Sequence, residues 1–331
     1  VRVFVTGGTG FVGSTLVRHL LRENFDVDVL ARPGANLQQL AGLKIEIIEG
    51  DLSNAGRLQA ALRGCEWVFH VAGLYAFWGY GWDDFLRSNV EGTRNLLSAC
   101  LAEGVSRVVH TSSIAVLGPP EHGDTADEST HTRYEELVGN YKRSKYLAEG
   151  VVREYVALGL PVVTVNPSAP IGAGDWKPTA TGRVIVDYLN GKMPAYVESH
   201  QNMVDVEDVA EGHLLAAKRG MAGDRYILGG ENMTLKEYLD RLSAIAGLPP
   251  VKTRLPYGLA LAWSYVDVSL SKMIRGRVPR AVPEAVNVGR LHSYYDSTKA
   301  KRELGYISHP IDGALRQAVE WYRANGYAPQ P

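Results

Sequence analysis

A tyrosine with a lysine four residues later occurs three times in this chain: Tyr141/Lys145, Tyr188/Lys192 and Tyr295/Lys299. On a helix that spacing puts both side chains on one face. A nearby ammonium favours phenolate and draws a tyrosine pKa down. Such a phenol gives or takes a proton as hydride moves to or from a carbonyl carbon. Local context separates the three pairs. Asn190-Gly191 should end any helix before Lys192, and Asp296-Ser297-Thr298 reads as the cap of a helix that starts after Tyr295. Only "YKRSKYLAEGVVREYVALG" continues in helical pattern, so Tyr141 and Lys145 are the catalytic candidates. A third group comes from "VVHTSS", a strand-like run ending in Thr111, Ser112 and Ser113. Capping of the strand end accounts for Thr111 and Ser112. Ser113 is the hydroxyl expected to polarise a substrate oxygen beside Tyr141.

A hydride needs a carrier, and the first strand runs into one kind of carrier site. "VFVTGGTGFVG" places Gly7, Gly10 and Gly13 in a GxxGxxG spacing between a strand and a helix, with Thr9, Phe11 and Val12 between them. Glycine permits the sharp turn, the close approach of backbone to ligand and tight helix-on-sheet packing. The helix N-terminus then suits a pyrophosphate. In NAD sites an acid at the end of the second strand binds the adenosine ribose. Here "VDVLARPGAN" has Ala31 at that place, Arg32 next and Asp28 too early. An arginine there pairs with a 2′-phosphate, so the expected cofactor is NADP, with NAD possible.

These groups must be positioned by an alternating scaffold. Strand-like runs at Arg2 to Thr6, Val27 to Ala31, Ile45 to Glu49, Trp67 to Val71, Arg107 to Thr111 and Val162 to Asn166 alternate with helix-like stretches such as Phe11 to Arg22 and Asp83 to Ala102. That alternation predicts an α/β fold: a Rossmann-type, doubly wound parallel sheet with helices on both faces. After Pro167 prolines and glycines become frequent and helical segments dominate. Residues 1–168 are therefore expected to form the dinucleotide-binding domain, with a return of the chain at about 203–229. Residues 169–202 and 230–331 should form a smaller, mostly helical substrate lobe.

Composition narrows the partners. A formal net charge of −1 over 331 residues, with both signs interspersed, argues against nucleic acid. The apolar run Leu255 to Leu270 contains Asp267 and is too short to span a bilayer. It reads as an amphipathic helix over a pocket, and no stable membrane insertion is expected. Cys65 and Cys100 read as buried thiols of a reducing compartment. The sequence opens in a strand, no signal peptide is expected, and a cytoplasmic location follows. His122 and His131, with Asp124, Asp127 and Glu128, lack metal-ligand spacing, so no metal is expected.

Taken together, "TGGTGFVG", "GDL" at Gly50, "HVAG" at His70, "NVEGTRNLL" from Asn89, "TSSIAVLG", "YKRSK" and "NPS" resemble the extended short-chain dehydrogenase/reductases of the NAD-dependent epimerase/dehydratase family, including its dihydroflavonol-reductase-like branch. "NPSAPIGAGDWKPTATGRVIVDYLNGKMPAYV" and "GDRYILGGENMTL" are similar to the bacterial group called hopanoid-associated sugar epimerases. The resemblance implies that Asp51 and Leu52 flank the adenine and that Val71, Ala72, Gly73 and Thr111 lie along the cofactor. It also implies that Lys145 binds the nicotinamide ribose, that Pro167 and Ser168 border the nicotinamide, and that Asp83 to Ala102 and Tyr141 to Ala157 build a homodimer interface. Sugar epimerases of the family commonly carry an acid after the second strand, where this chain has Arg32.

The substrate side is read from "GLYAFWGYGW", with Tyr75, Phe77 and Trp78, and from "GDWKPTATGR", with Trp176 and Arg183. Aromatic rings with few charges fit an apolar or ring-shaped substrate. A nucleotide-sugar would require cations, for which Lys177, Arg183 and Arg290 are candidates. The leading expectation is an NADP(H)-dependent oxidoreductase acting on a ketone or aldehyde of a small, largely apolar molecule. The alternatives are a nucleotide-sugar epimerase using the same residues and a non-catalytic dinucleotide-binding regulator.

Overall fold

The computed structural model describes residues 1–118, 120, 125–274, 277–290 and 294–330. Seven parallel strands form the main sheet: β1 (Arg2–Thr6), β2 (Asp26–Ala31), β3 (Glu46–Glu49), β4 (Trp67–His70), β5 (Arg107–Thr111), β7 (Val162–Pro167) and β11 (Arg225–Leu228). Their order, β11-β7-β5-β4-β1-β2-β3, reverses between β1 and β4. In an open α/β sheet, ligands bind at such a reversal, beyond the carboxyl ends of the strands. The Rossmann-type fold is the one expected.

The central strands are apolar because both their faces are covered. Val3, Val5, Val29, Phe69, Val109, Val163 and Val165 form one core with Leu16, Val17 and Leu20 of α1 (Phe11–Arg22) and with Val209 and Leu214 of α7 (Val206–Arg219). On the other face Phe4, Val68 and Val108 pack with residues of α2 (Ala55–Leu62), α4 (Gly92–Ala102) and α5 (Asn140–Ala157). A short α3 (Trp82–Phe85) leads into α4 through a π-helical turn, Leu86–Glu91, so the stretch expected as one helix contains one wide turn.

A second core surrounds Ile171, Ile185, Met203, Tyr238, Leu242, Leu315 and Tyr322. It joins α6 (Ala180–Leu189), α8 (Leu235–Ala246) and α12 (Ile311–Ala324) to a three-stranded sheet of β8 (Ala169–Ile171), β10 (His200–Asp205) and β12 (Glu231–Thr234). The chain returns to the main sheet through α7 and β11. Met203 to Asp205, expected within that return, instead pair with β8 and β12. Two short parallel pairings complete the strands, β6 (Thr125–Ala126) with β14 (Tyr294–Tyr295) and β9 (Ala195–Tyr196) with β13 (Thr253–Arg254).

The apolar run near residue 260 forms α9 (Tyr257–Met273), which packs beside α10 (Pro283–Arg290). Most of its large apolar side chains face outward, where the sequence suggests a face turned to a pocket. Among the described residues, no helix is long and apolar enough to cross a membrane and no cluster has the make-up of a metal site. Cys65 and Cys100 are free and buried, while His122 and Asp124 lie outside the described residues.

Candidate active site

The glycine turn between β1 and α1 is set by contact as well as by conformation. Gly7 has φ +75°, and a Cβ on it would lie 2.5 Å from the backbone nitrogen of Ala72. A Cβ on Gly13 would lie 2.1 Å from the Gly7 carbonyl oxygen, so α1 starts pressed against the turn. Gly10 is the N-cap of α1; it makes no side-chain cap, and the first turn holds no acid. Those free N–H groups fit the pyrophosphate of a dinucleotide.

At the ribose end, Asp28 is buried in β2 and accepts from Arg2 Nε at 2.8 Å, which leaves it no part in sugar recognition. Arg32 is exposed just past β2 and lies close to Asp51. The Asp51 carboxyl sits below the usual range, mainly through its hydrogen bonds from Ser53 and partly through Arg32 and Arg57. Leu52 packs on Gly92, and its carbonyl accepts from Asn95 Nδ2 at 2.8 Å.

Tyr141 and Lys145 share a face of α5, directed at the ends of β4 and β5. Ser113 stands beside the Tyr141 hydroxyl. Burial raises the phenol pKa and Ser113 partly draws it back, with no lowering from Lys145 of the kind expected from the spacing. The reason is geometric. Lys145 Nζ donates to the Thr111 carbonyl at 2.8 Å, and burial lowers its own pKa to about 8, with Glu149 opposing. A Cβ on Gly73 would come within 3.0 Å of Nζ, so the "HVAG" glycine makes room for the ammonium.

The hydroxyl assignments also change. Ser113 caps the short 3₁₀ turn Ile114–Val116, accepting from Ala115 N at 3.1 Å. Thr111 Oγ1 instead donates to His213 Nε2 at 2.8 Å, because Nδ1–H of that ring is committed to the Val209 carbonyl at 2.7 Å. Ser112 and Ser168 keep buried hydroxyls with no partner among the described residues. They stand just beyond the carboxyl ends of neighbouring strands β5 and β7, where a nicotinamide would rest. Orphaned donors there fit a bound cofactor.

A brace not legible in the sequence supports this floor. The Ala72 N–H reaches Thr6 Oγ1, whose proton goes to His70 Nδ1; His70 Nε2–H then reaches Thr93 Oγ1, which donates to the Asn89 carbonyl. The chain of donors fixes the tautomer of His70, which burial holds neutral with its pKa lowered to about 3. Asn89 lies in the π-helical turn. Its side chain accepts from Leu74 N at 2.6 Å and donates to the Leu74 carbonyl and to Ser144 Oγ. Asn166 Nδ2 similarly joins the Ser113 carbonyl to Glu149, each at 3.0 Å. Asn89 and Asn166 were legible only within family signatures, and His213 gave no local signal.

On the open side, the Tyr75 ring meets Tyr141 edge-on at 4.8 Å and Phe77 at 5.5 Å. Trp78 is half-buried nearby in sequence. Glu284 of α10 faces Gly139, so close that a Cβ there would overlap its carboxylate. Trp176 is engaged elsewhere, edge-on to Trp321 and Tyr327 at 6.1 and 6.2 Å. Arg183 and Lys177 are exposed, Arg183 near the buried Asp175. The Arg290 side chain lies outside the described residues. In the other two tyrosine–lysine spacings, α6 ends before Lys192 and Tyr295 is in a strand, so neither pair shares a helix.

A glycine-turned parallel sheet with serine, tyrosine and lysine at its carboxyl edge defines a dinucleotide-dependent oxidoreductase of the Rossmann class. The chain belongs to the NAD dependent epimerase/dehydratase family, whose model matches residues 3–229. Over 328 residues it is 44% identical to a Synechocystis sp. protein with the provisional name dihydroflavonol 4-reductase, covering 98% of this chain and 95% of the relative. It is 32% identical to sterol demethylase protein B of Methylococcus capsulatus, covering 97% and 98%. The crystal structure of PA4631, a nucleoside-diphosphate-sugar epimerase from Pseudomonas aeruginosa, superposes with a TM-score of 0.83 at 28% identity and 99% coverage of both chains.

Proposed function

We propose that the protein is an NADP(H)-dependent reductase of a ketone or aldehyde on a small, largely apolar molecule. The observation that carries this reading is the end of β2, where Arg32 is exposed and Asp28 is consumed by Arg2. A 2′-phosphate is the group that an arginine at that place recognises. A dinucleotide held by the glycine turn would supply the hydride for the carbonyl carbon. Tyr141 gives its hydroxyl proton to the carbonyl oxygen, so that a secondary or primary alcohol results. Ser113, which stands beside Tyr141, donates to the same oxygen as charge develops there. Lys145 holds the Thr111 carbonyl and keeps a positive charge behind the phenol while it is protonated. Tyr75 and Phe77 offer rings to an apolar substrate.

The reductase name of the Synechocystis relative supports net reduction. The PA4631 structure favours a second reading, nucleotide-sugar epimerisation, in which one carbon is oxidised and reduced again with no net change. Purified protein incubated with carbonyl compounds and nucleotide-sugars separates them. Stoichiometric loss of NADPH absorbance with alcohol formation is expected, and isomer formation without NADPH loss overturns the reductase. Arg32→Asp should weaken NADPH relative to NADH by about 10- to 100-fold, the worth of charge-assisted hydrogen bonds. Tyr141→Phe should abolish turnover while NADPH binding persists.

A further inference from the structure

Helix α9 is built inside out. The side chains it buries are Ala260, Ser264, Asp267 and Ser271, each at most 5% exposed. The side chains it presents outward are Leu259, Trp263, Val266, Leu270 and Met273, at 61, 54, 49, 37 and 81%. The positions 259, 263, 266, 270 and 273 follow helical spacing, so the apolar residues form one continuous stripe. Asp267 secures this orientation from beneath, accepting from Arg277 and from the backbone N–H groups of Arg280 and Ala281. A helix normally turns such a stripe to its own core, and an outward stripe marks an interaction surface.

Charge distinguishes the candidate occupants. Residues 251–290 hold seven lysines and arginines against two acids, in a chain of net charge −1. Lys252 and Arg254 before the helix, and Lys272 and Arg280 at and after its end, are exposed. Of the two acids, Asp267 is buried in its ion pair, and Glu284 faces Gly139 with Lys142 nearby. A second copy docked stripe to stripe would set one cationic end against another. An apolar stripe with cationic ends matches an anionic lipid surface, where Trp and Leu enter the headgroup boundary and Lys and Arg meet the phosphates.

We propose that α9 docks the protein on anionic phospholipid bilayers, lying in the interface through the Leu259–Met273 stripe without spanning it. The helix reaches towards the catalytic floor, since Tyr257 hydrogen-bonds Asn287 of α10 and Glu284 of α10 faces Gly139, two residues before Tyr141. Docking therefore sets the substrate entrance against a lipid phase. That consequence rests on the proposed function, while the docking itself does not.

The test is flotation of the full chain with vesicles of phosphatidylglycerol and phosphatidylcholine, and with phosphatidylcholine alone. The protein should float with the anionic vesicles and detach partly at high salt. Leu259→Gln/Trp263→Gln/Leu270→Gln should lower the partition coefficient by about tenfold or more. Lys272→Gln/Arg280→Gln should lower it by about fivefold per cation on anionic vesicles and leave phosphatidylcholine binding unchanged. Both variants should melt as the parent does, because they alter exposed side chains. Absence of flotation by the parent chain, or unchanged flotation of the triple variant, overturns the proposal. So does sedimentation showing that the triple variant turns a dimer into a monomer, which would make the stripe a surface between copies.

Discussion

The catalytic floor and the outer face of α9 invert each other's chemistry. At the floor, His70, Asn89, His213 and Lys145 are all below 5% exposed and each has a defined partner. On α9, Ser264, Asp267 and Ser271 are again inside, and large apolar side chains face outward. Burying polar side chains is costly unless they are paired, so both regions spend stability on orientation. They differ in what surrounds the oriented groups. The floor side chains are buried among strands and helices, whereas the stripe is exposed, so equal changes should have unequal effects.

The largest difference should come from single substitutions at the two places. Gly13→Ala forces a methyl group against the Gly7 carbonyl, a backbone atom 2.1 Å away. Dinucleotide binding should be lost with about 3 kcal/mol of stability, read by cofactor fluorescence and melting. Trp263→Gln should stay within about 0.5 kcal/mol of the parent. A stable Gly13→Ala that still binds would break the contrast.

Asn89→Ala tests the brace itself. It leaves Leu74 N, the Leu74 carbonyl and Ser144 without their partner, and should cost about 2 kcal/mol. Because Asn89 positions and does not touch the reacting atoms, kcat should fall more than KM rises, and Asn89→Asp should recover only the Leu74 N–H bond.

The smallest and most diagnostic effect is pH dependence. Burial lowers Lys145 to about 8, so its ammonium is present below that value and lost above it. Reductive kcat/KM should therefore fall as pH rises through about 8. Between there and the ordinary lysine value near ~10.4 the unfolded chain binds the extra proton, so this group makes stability rise with pH. A profile flat to pH ~10 would remove Lys145's charge from the mechanism.

How much of this was legible depended on range. The glycine turn, the strand alternation and the choice among three tyrosine–lysine pairs rest on neighbours within one turn or strand, where residue type dictates conformation. The brace depends on distant meetings: Thr111 finds His213 across 102 positions, and Asn89 finds Ser144 across 55. No local pattern encodes those. Met203 to Asp205 were assigned to the return because an apolar edge reads alike in either sheet. The α9 stripe was legible as a helix, but its direction was not, since periodicity identifies a face without saying what it looks towards.

The π-helical turn Leu86–Glu91 has a consequence for sequence length. A wide turn holds one residue more than the regular ladder needs, so deleting one residue there would repair the hydrogen bonds of the helix. It would also rotate everything on one side by about 100° relative to the other, carrying Asn89 off Leu74. A shortened chain of this kind should gain a straighter helix and lose its enzyme.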